Sequence, residues 1–97
     1  MLKNITVKEL KNILSSKINI IDLRNSEKYN TSHIYNSKNI PYLELLRNPN
    51  KYLDKNSIYY LYCQYGKTSL RLSLILNNQG FNTINILGGY QEWLISI

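Results

Sequence analysis

The 97-residue chain carries one cysteine, one histidine, two prolines, four glycines and only six acidic side chains. A single cysteine closes no internal disulfide, which fits a reducing compartment. One thiol and one imidazole, Cys63 and His33, cannot assemble a zinc-type cluster within one copy. No metal and no cofactor are therefore expected. No apolar run approaches the roughly 18 residues that a membrane span needs, and Met1-Leu2-Lys3-Asn4-Ile5-Thr6 shows no signal-peptide core. A cytoplasmic protein without a membrane partner is the expectation. The scarcity of proline and glycine, with 43% apolar and 19% charged residues, excludes disordered and fibrous classes. At this length, residues 1–97 make one small domain, with a monomer as the default.

Few acids against 12 lysines and arginines leave a net charge of +6. Such a charge suits nucleic acid, an anionic surface or small anionic substrates. Lys3, Lys8, Lys11 and Lys17 are spread rather than clustered, so a solvated lysine surface is the plainer reading. The nine tyrosines sit mostly in strand-like or core-like settings and no RNA-binding signature is present. No nucleic-acid partner is expected.

Thr6-Val7-Lys8-Glu9 has the form of a capping box and predicts a helix over residues 7–14, with Leu10, Ile13 and Leu14 on its apolar face. Residues 18–23 read as a buried strand, being short, β-branched and bounded by polar turns. A polar connection over residues 24–30 holds a turn or two of helix around Glu27 and Tyr29. Asn39-Ile40 is a very short strand ended by Pro41; residues 42–47 form a helix closed by Asn48-Pro49. A strand at 58–62, a helix at 68–79 and a strand at 83–87 make a βαβ unit, and a short helix at 90–94 follows Gly88-Gly89. Strands alternating with helices predict an α/β fold: a small, mostly parallel sheet of about five strands, with helices on both faces.

Cys63 stands at the junction of the strand at 58–62 and the helix that follows it, in the run Cys63-Gln64-Tyr65-Gly66-Lys67-Thr68-Ser69. A strand that enters a Gly-containing turn and leaves as a helix aims N–H groups and the positive end of the helix dipole at the turn's occupant. An anionic sulfur would benefit. Gly66-Lys67-Thr68 suggests a phosphate-binding P-loop, but the motif's first glycine belongs at position 61, where the chain has Leu61 in mid-strand. A cysteine phosphatase or arsenate reductase uses Cys-x5-Arg, with the guanidinium gripping the anion; position 69 is serine. That reading, and a non-catalytic binding module with a basic surface, stay open as alternatives.

The chain resembles the rhodanese, or sulfurtransferase, family over nearly its whole length. Asp22-Leu23-Arg24 followed by Glu27, Tyr29, His33-Ile34 and Asn39-Ile40-Pro41 is similar to the family's Asp-x-Arg…Glu-x-Tyr…Gly-His-Ile…Asn-Ile-Pro. The Cys63 run resembles its Cys-x-x-Gly-x-Arg-Ser loop, and Gly88-Gly89-Tyr90-Gln91-Glu92-Trp93 its Gly-Gly-x3-Trp. Ser32 replaces a glycine, Asn36-Ser37 replaces Gly-Ala, and Thr68 replaces the frequent arginine; Asn can adopt the left-handed conformation that glycine would supply.

The resemblance implies a sulfurtransferase with Cys63 as the catalytic thiol, carrying sulfur as a persulfide. Thiosulfate or polysulfide would be the anionic donor, and cyanide, a thiol or a protein cysteine the acceptor. Gln64, Tyr65, Gly66, Lys67, Thr68 and Ser69 become the substrate-binding residues. Lys67 is the candidate to attract an anion, and Ser69 is expected to cap the helix in preference to bonding the sulfur. Asp22, Arg24 and His33 are assigned to holding the fold rather than to chemistry.

Overall fold

Five short runs form a single sheet in a computed structural model that describes residues 3–96; Met1, Leu2 and Ile97, part of the expected 1–97 domain, lie outside the described residues. The strands are β1 (Asn4–Ile5), β2 (Asn19–Asp22), β3 (Ser37–Asn39), β4 (Ile58–Tyr62) and β5 (Asn82–Ile86), in spatial order β1-β5-β4-β2-β3. All pairings are parallel. Parallel neighbours need crossovers. These are supplied by α1 (Val7–Ile13), α2 (Ser26–Thr31), α3 (Tyr42–Arg47), α4 (Pro49–Tyr52) and α5 (Lys67–Asn78), while α6 (Gly89–Ile95) closes the described chain. After β2 the chain moves outward to β3; after β4 it moves the other way to β5. A crevice beyond the carboxyl ends of β2 and β4 follows from that reversal.

Period-two alternation sorts the core into two layers. Ile21, Leu61 and Cys63 face Leu45 of α3, Leu53 and the α5 residues Leu72 and Leu76. Ile20, Tyr62 and Ile86 face Val7 and Leu10 of α1 and Tyr90 of α6. Leu72 and Leu76 are fully buried, each contributing about 1.5–3 kcal/mol. Tyr62 and Cys63, adjacent in sequence, are thereby sent to opposite faces of the sheet.

The capping box is present: the Glu9 N–H donates to Thr6 Oγ1 at 3.0 Å and the Thr6 N–H to Glu9 Oε1 at 2.9 Å. Several elements differ from expectation, some only by a residue at their ends. The chain before α1 forms the edge strand β1, held by Asn85 and Leu87 N–H groups donating to Lys3 and Ile5 carbonyls. Two residues are too few to show alternation. β3 lies at Ser37–Asn39 rather than at Asn39-Ile40, because pairing with Ile20, Ile21 and Asp22 sets its register. α3 ends at Arg47 as expected, and Pro49 then starts a further helix, α4, where at the first helical position its missing N–H costs nothing. α5 begins one residue early, at Lys67. Asn36 has φ +65°, the left-handed conformation anticipated for it.

Candidate active site

β4 ends at Tyr62 and α5 begins at Lys67, leaving Cys63-Gln64-Tyr65-Gly66 to reverse the chain between them. The turn places the Cys63 sulfur over the first turn of a 12-residue helix. N–H groups of Gly66 and Ser69 donate to Sγ at 3.1 and 3.3 Å, and Ser69 Oγ lies 3.3 Å away. Burial alone pushes the Cys63 thiol up. The Ser69 and Thr68 hydroxyls and the two N–H groups outweigh it, so the thiol ionises below its ordinary value. Such a pocket can hold a negative sulfur by dipoles alone.

The loop keeps its shape because backbone packs on backbone. Gly66 has φ +95°, and a Cβ there would lie 2.9 Å from the Gly88 nitrogen. A Cβ on Gly89 would lie 2.3 Å from the Cys63 carbonyl oxygen. With no side chain in the way, the Tyr90 and Gln91 N–H groups at the start of α6 donate to the Cys63 and Gln64 carbonyls at 2.9 and 3.0 Å. The Gly88-Gly89 pair is thus the seat of the cysteine loop.

Asp22 and Arg24 form a closed knot at the end of β2. The Asp22 carboxylate accepts from the Arg24 N–H at 2.8 Å, from Arg24 Nη2 at 2.8 Å and from the Tyr62 hydroxyl at 2.6 Å. Arg24 also donates to the Ser32 carbonyl at 2.7 Å, and its guanidinium lies 4.0 Å from the Tyr90 ring centroid. Burial opposes the Arg24 charge, and hydrogen bonding and attraction to Asp22 more than offset it. Burial pushes the Tyr62 phenol strongly up, with its hydrogen bond to Asp22 adding to the effect. Ser32, at the family's glycine position, has φ −168°, open to any residue, and its Oγ accepts from Tyr90 at 2.7 Å.

Of the residues singled out in sequence, six are brought around the thiol. Cys63, Gln64, Tyr65, Lys67 and Thr68 line a depression of about 240 Å³, and Gly66 lies in its wall through its N–H. Gln64 is half-buried, with a long 3.4 Å contact from Arg24 Nη1, while Tyr65, Lys67 and Thr68 are exposed. Gln64 and Tyr65 also border a cleft of about 340 Å³ with Arg24, Lys28, Ser32 and Tyr90, in the crevice between β2 and β4. Ser69 does not cap α5. It is the helix's third residue and fully buried, and its hydroxyl turns to the sulfur and to Asn85 Oδ1, the latter at 2.6 Å. His33 stays apart, stacked on Tyr29 at 3.9 Å with Nδ1–H donating to the Tyr29 carbonyl.

Sequence reasoning missed Asn85. The available signal was an asparagine two residues after Thr83, and so on the same inward face of β5, three residues before Gly88.

Sheet, crossovers and thiol loop define a parallel α/β domain that presents one cysteine at a helix N-terminus. Residues 6–96 match the sequence profile of the Rhodanese-like domain, and the chain belongs to that family. A crystal structure of a rhodanese-like domain protein from Staphylococcus aureus superposes with TM-score 0.85 at 37% identity, covering 95% of this chain and 91% of that one. The uncharacterized protein YqhL of Bacillus subtilis is 32% identical over 78 residues, 79% of this chain and 61% of its own. The tRNA sulfurtransferase of Blochmanniella pennsylvanica is 34% identical over 82 residues, 80% of this chain and 17% of its own. The chain spans 41% and 61% of the length of the first two curated relatives it matches.

Proposed function

We propose that this chain is a sulfurtransferase that carries a sulfane sulfur as a persulfide on Cys63. A small anion such as thiosulfate or polysulfide would supply the sulfur, and cyanide, a thiol or a protein cysteine would take it. The observation that carries the reading is the Cys63 sulfur held at the start of α5 by two N–H groups and the Ser69 hydroxyl. Likeness to a protein named tRNA sulfurtransferase supports the same reaction class.

In the first step the Cys63 thiolate attacks the outer sulfur of thiosulfate. A new S–S bond forms as the donor's S–S bond breaks, and sulfite leaves with the bonding pair. In the second, an acceptor thiolate attacks the outer sulfur of the persulfide; that S–S bond breaks and its electron pair returns to Cys63. Both steps start and end with an anionic sulfur, so dipoles fixed in place serve every stage without reorganising. Lys67, exposed on the rim, provides the positive charge that draws the donor. Thr68, in place of the family's arginine, acts on the sulfur through its hydroxyl rather than through a charge. A reducing, cytoplasmic setting and a monomeric working state belong to this proposal.

No observation favours a phosphatase or arsenate reductase, because position 69 holds a buried serine directed at the sulfur. Intact-protein mass after incubation with thiosulfate or polysulfide tests the proposal. We expect a gain of about 32 Da that dithiothreitol removes and that Cys63→Ser never shows. An unchanged mass across several donors sinks the persulfide and leaves the idle binding module.

A further inference from the structure

The sulfur is one end of a hydrogen-bond chain that crosses the sheet. Cys63 Sγ donates to Ser69 Oγ at 3.3 Å, Ser69 Oγ donates to Asn85 Oδ1 at 2.6 Å, and Asn85 Nδ2 donates to Asn4 Oδ1 at 3.2 Å. Every donor in this chain points away from the sulfur. Ser69 and Asn85 are 0% and 1% exposed, so the middle of the chain has no ready access to water.

A hydroxyl owns one proton. While Ser69 gives it to Asn85, the sulfur is offered a lone pair, which suits S–H and opposes a thiolate. If Ser69 turned its proton to an ionised sulfur and nothing else moved, its oxygen and the Asn85 carbonyl would face each other with lone pairs in a buried site, a costly arrangement. A carboxamide resolves the conflict by a half-turn, because it exchanges an acceptor for a donor in nearly the same volume. Nδ2–H of Asn85 would then donate to Ser69 Oγ, and Asn4, exposed at the sheet edge, would turn its own amide to match.

We propose that Asn85 is a positioning residue for Cys63: its carboxamide sets the direction of the Ser69 hydroxyl, one orientation serving the thiol and the other the thiolate and persulfide anions. The thiol proton leaves to solvent and no other group in the chain changes charge. This inference rests on Cys63 working as an anion. The charged groups on the surrounding elements are otherwise placed. Lys67 and Arg71 on α5, Arg47 on α3 and Glu92 on α6 are exposed, Glu44 accepts from Tyr52, Arg24 is held by Asp22, and Lys3 donates to Asn82.

The pH dependence of Cys63 alkylation by iodoacetamide tests the assignment on the full chain. Asn85→Asp offers acceptors only, so it keeps the Ser69 proton away from the sulfur. The midpoint should rise by about one pH unit or more. In a Ser69→Ala background the rise should shrink to the part owed to the new charge alone. Equal rises in the two backgrounds overturn the proposal. Should circular dichroism show that Asn85→Asp does not fold, the same comparison is made with Asn4→Asp at the exposed end, which locks the Asn85 carbonyl toward Ser69. Its smaller rise should vanish with Ser69→Ala, and no rise at all overturns the proposal. Alkylation needs no sulfur donor, so this result and the persulfide mass gain can fail independently.

Discussion

The ends of β2 and β4 lie side by side, with Asp22 opposite Tyr62 in register, and they handle charge in opposite ways. At β2 a carboxylate meets a guanidinium at 2.8 Å, and Tyr62 supplies a further donor, with both charged side chains almost fully buried. At β4 the Cys63 sulfur has N–H groups and hydroxyls but no opposite charge among its hydrogen-bond partners. The first arrangement suits a group that never changes state. The second suits a group that changes its charge, because oriented dipoles stabilise an anion without locking it into one partner.

Removing one half of the knot breaks the comparison most severely. Arg24→Leu leaves Asp22 buried without its counter-charge, and we expect a loss of about 3–5 kcal/mol in urea unfolding. A loss under about 1 kcal/mol would mean that the pair behaves like a surface bridge. Next comes the seat of the loop. Gly89→Ala sets a Cβ against the Cys63 carbonyl and asks alanine to hold φ +61°, at a cost of about 1–3 kcal/mol. Cys63 alkylation at neutral pH should slow with it, since the loop moves off the α6 N–H groups; unchanged alkylation would separate the seat from the sulfur. The smallest effect is a linkage. The folded Cys63 thiol ionises below its ordinary value, so its thiolate adds stability above the unfolded value, near 8.5, and that gain disappears as pH falls through the folded value. The stability of the native chain relative to Cys63→Ser should therefore grow between about pH 7 and about pH 9.5. A flat or falling difference would show that burial outweighs the dipoles.

The cysteine loop was legible because its cause is local. A β-branched and aromatic run, a glycine turn and a helical apolar pattern within about twenty residues dictate a strand, a reversal and a helix start. The helix at Val7–Ile13 was legible for the same reason, its cap lying three residues from its partner. Ser69 was misplaced as a cap because sequence spacing does not distinguish a helix's first residue from its third. Asn85, the edge strand β1 and the seat of Gly88-Gly89 were not legible, since each acts on residues far away in sequence.

Local propensity and alternation, written in the order of residues, determined that this chain would build a parallel α/β domain and put its one thiol at a helix N-terminus. Only the tertiary structure decided what meets that thiol. Register placed Asn85 behind Ser69, and the absence of two side chains let α6 dock its N–H groups on the loop. Sequence carries short-range preference along the chain, whereas the fate of a buried proton depends on which lone pairs packing brings within hydrogen-bond distance.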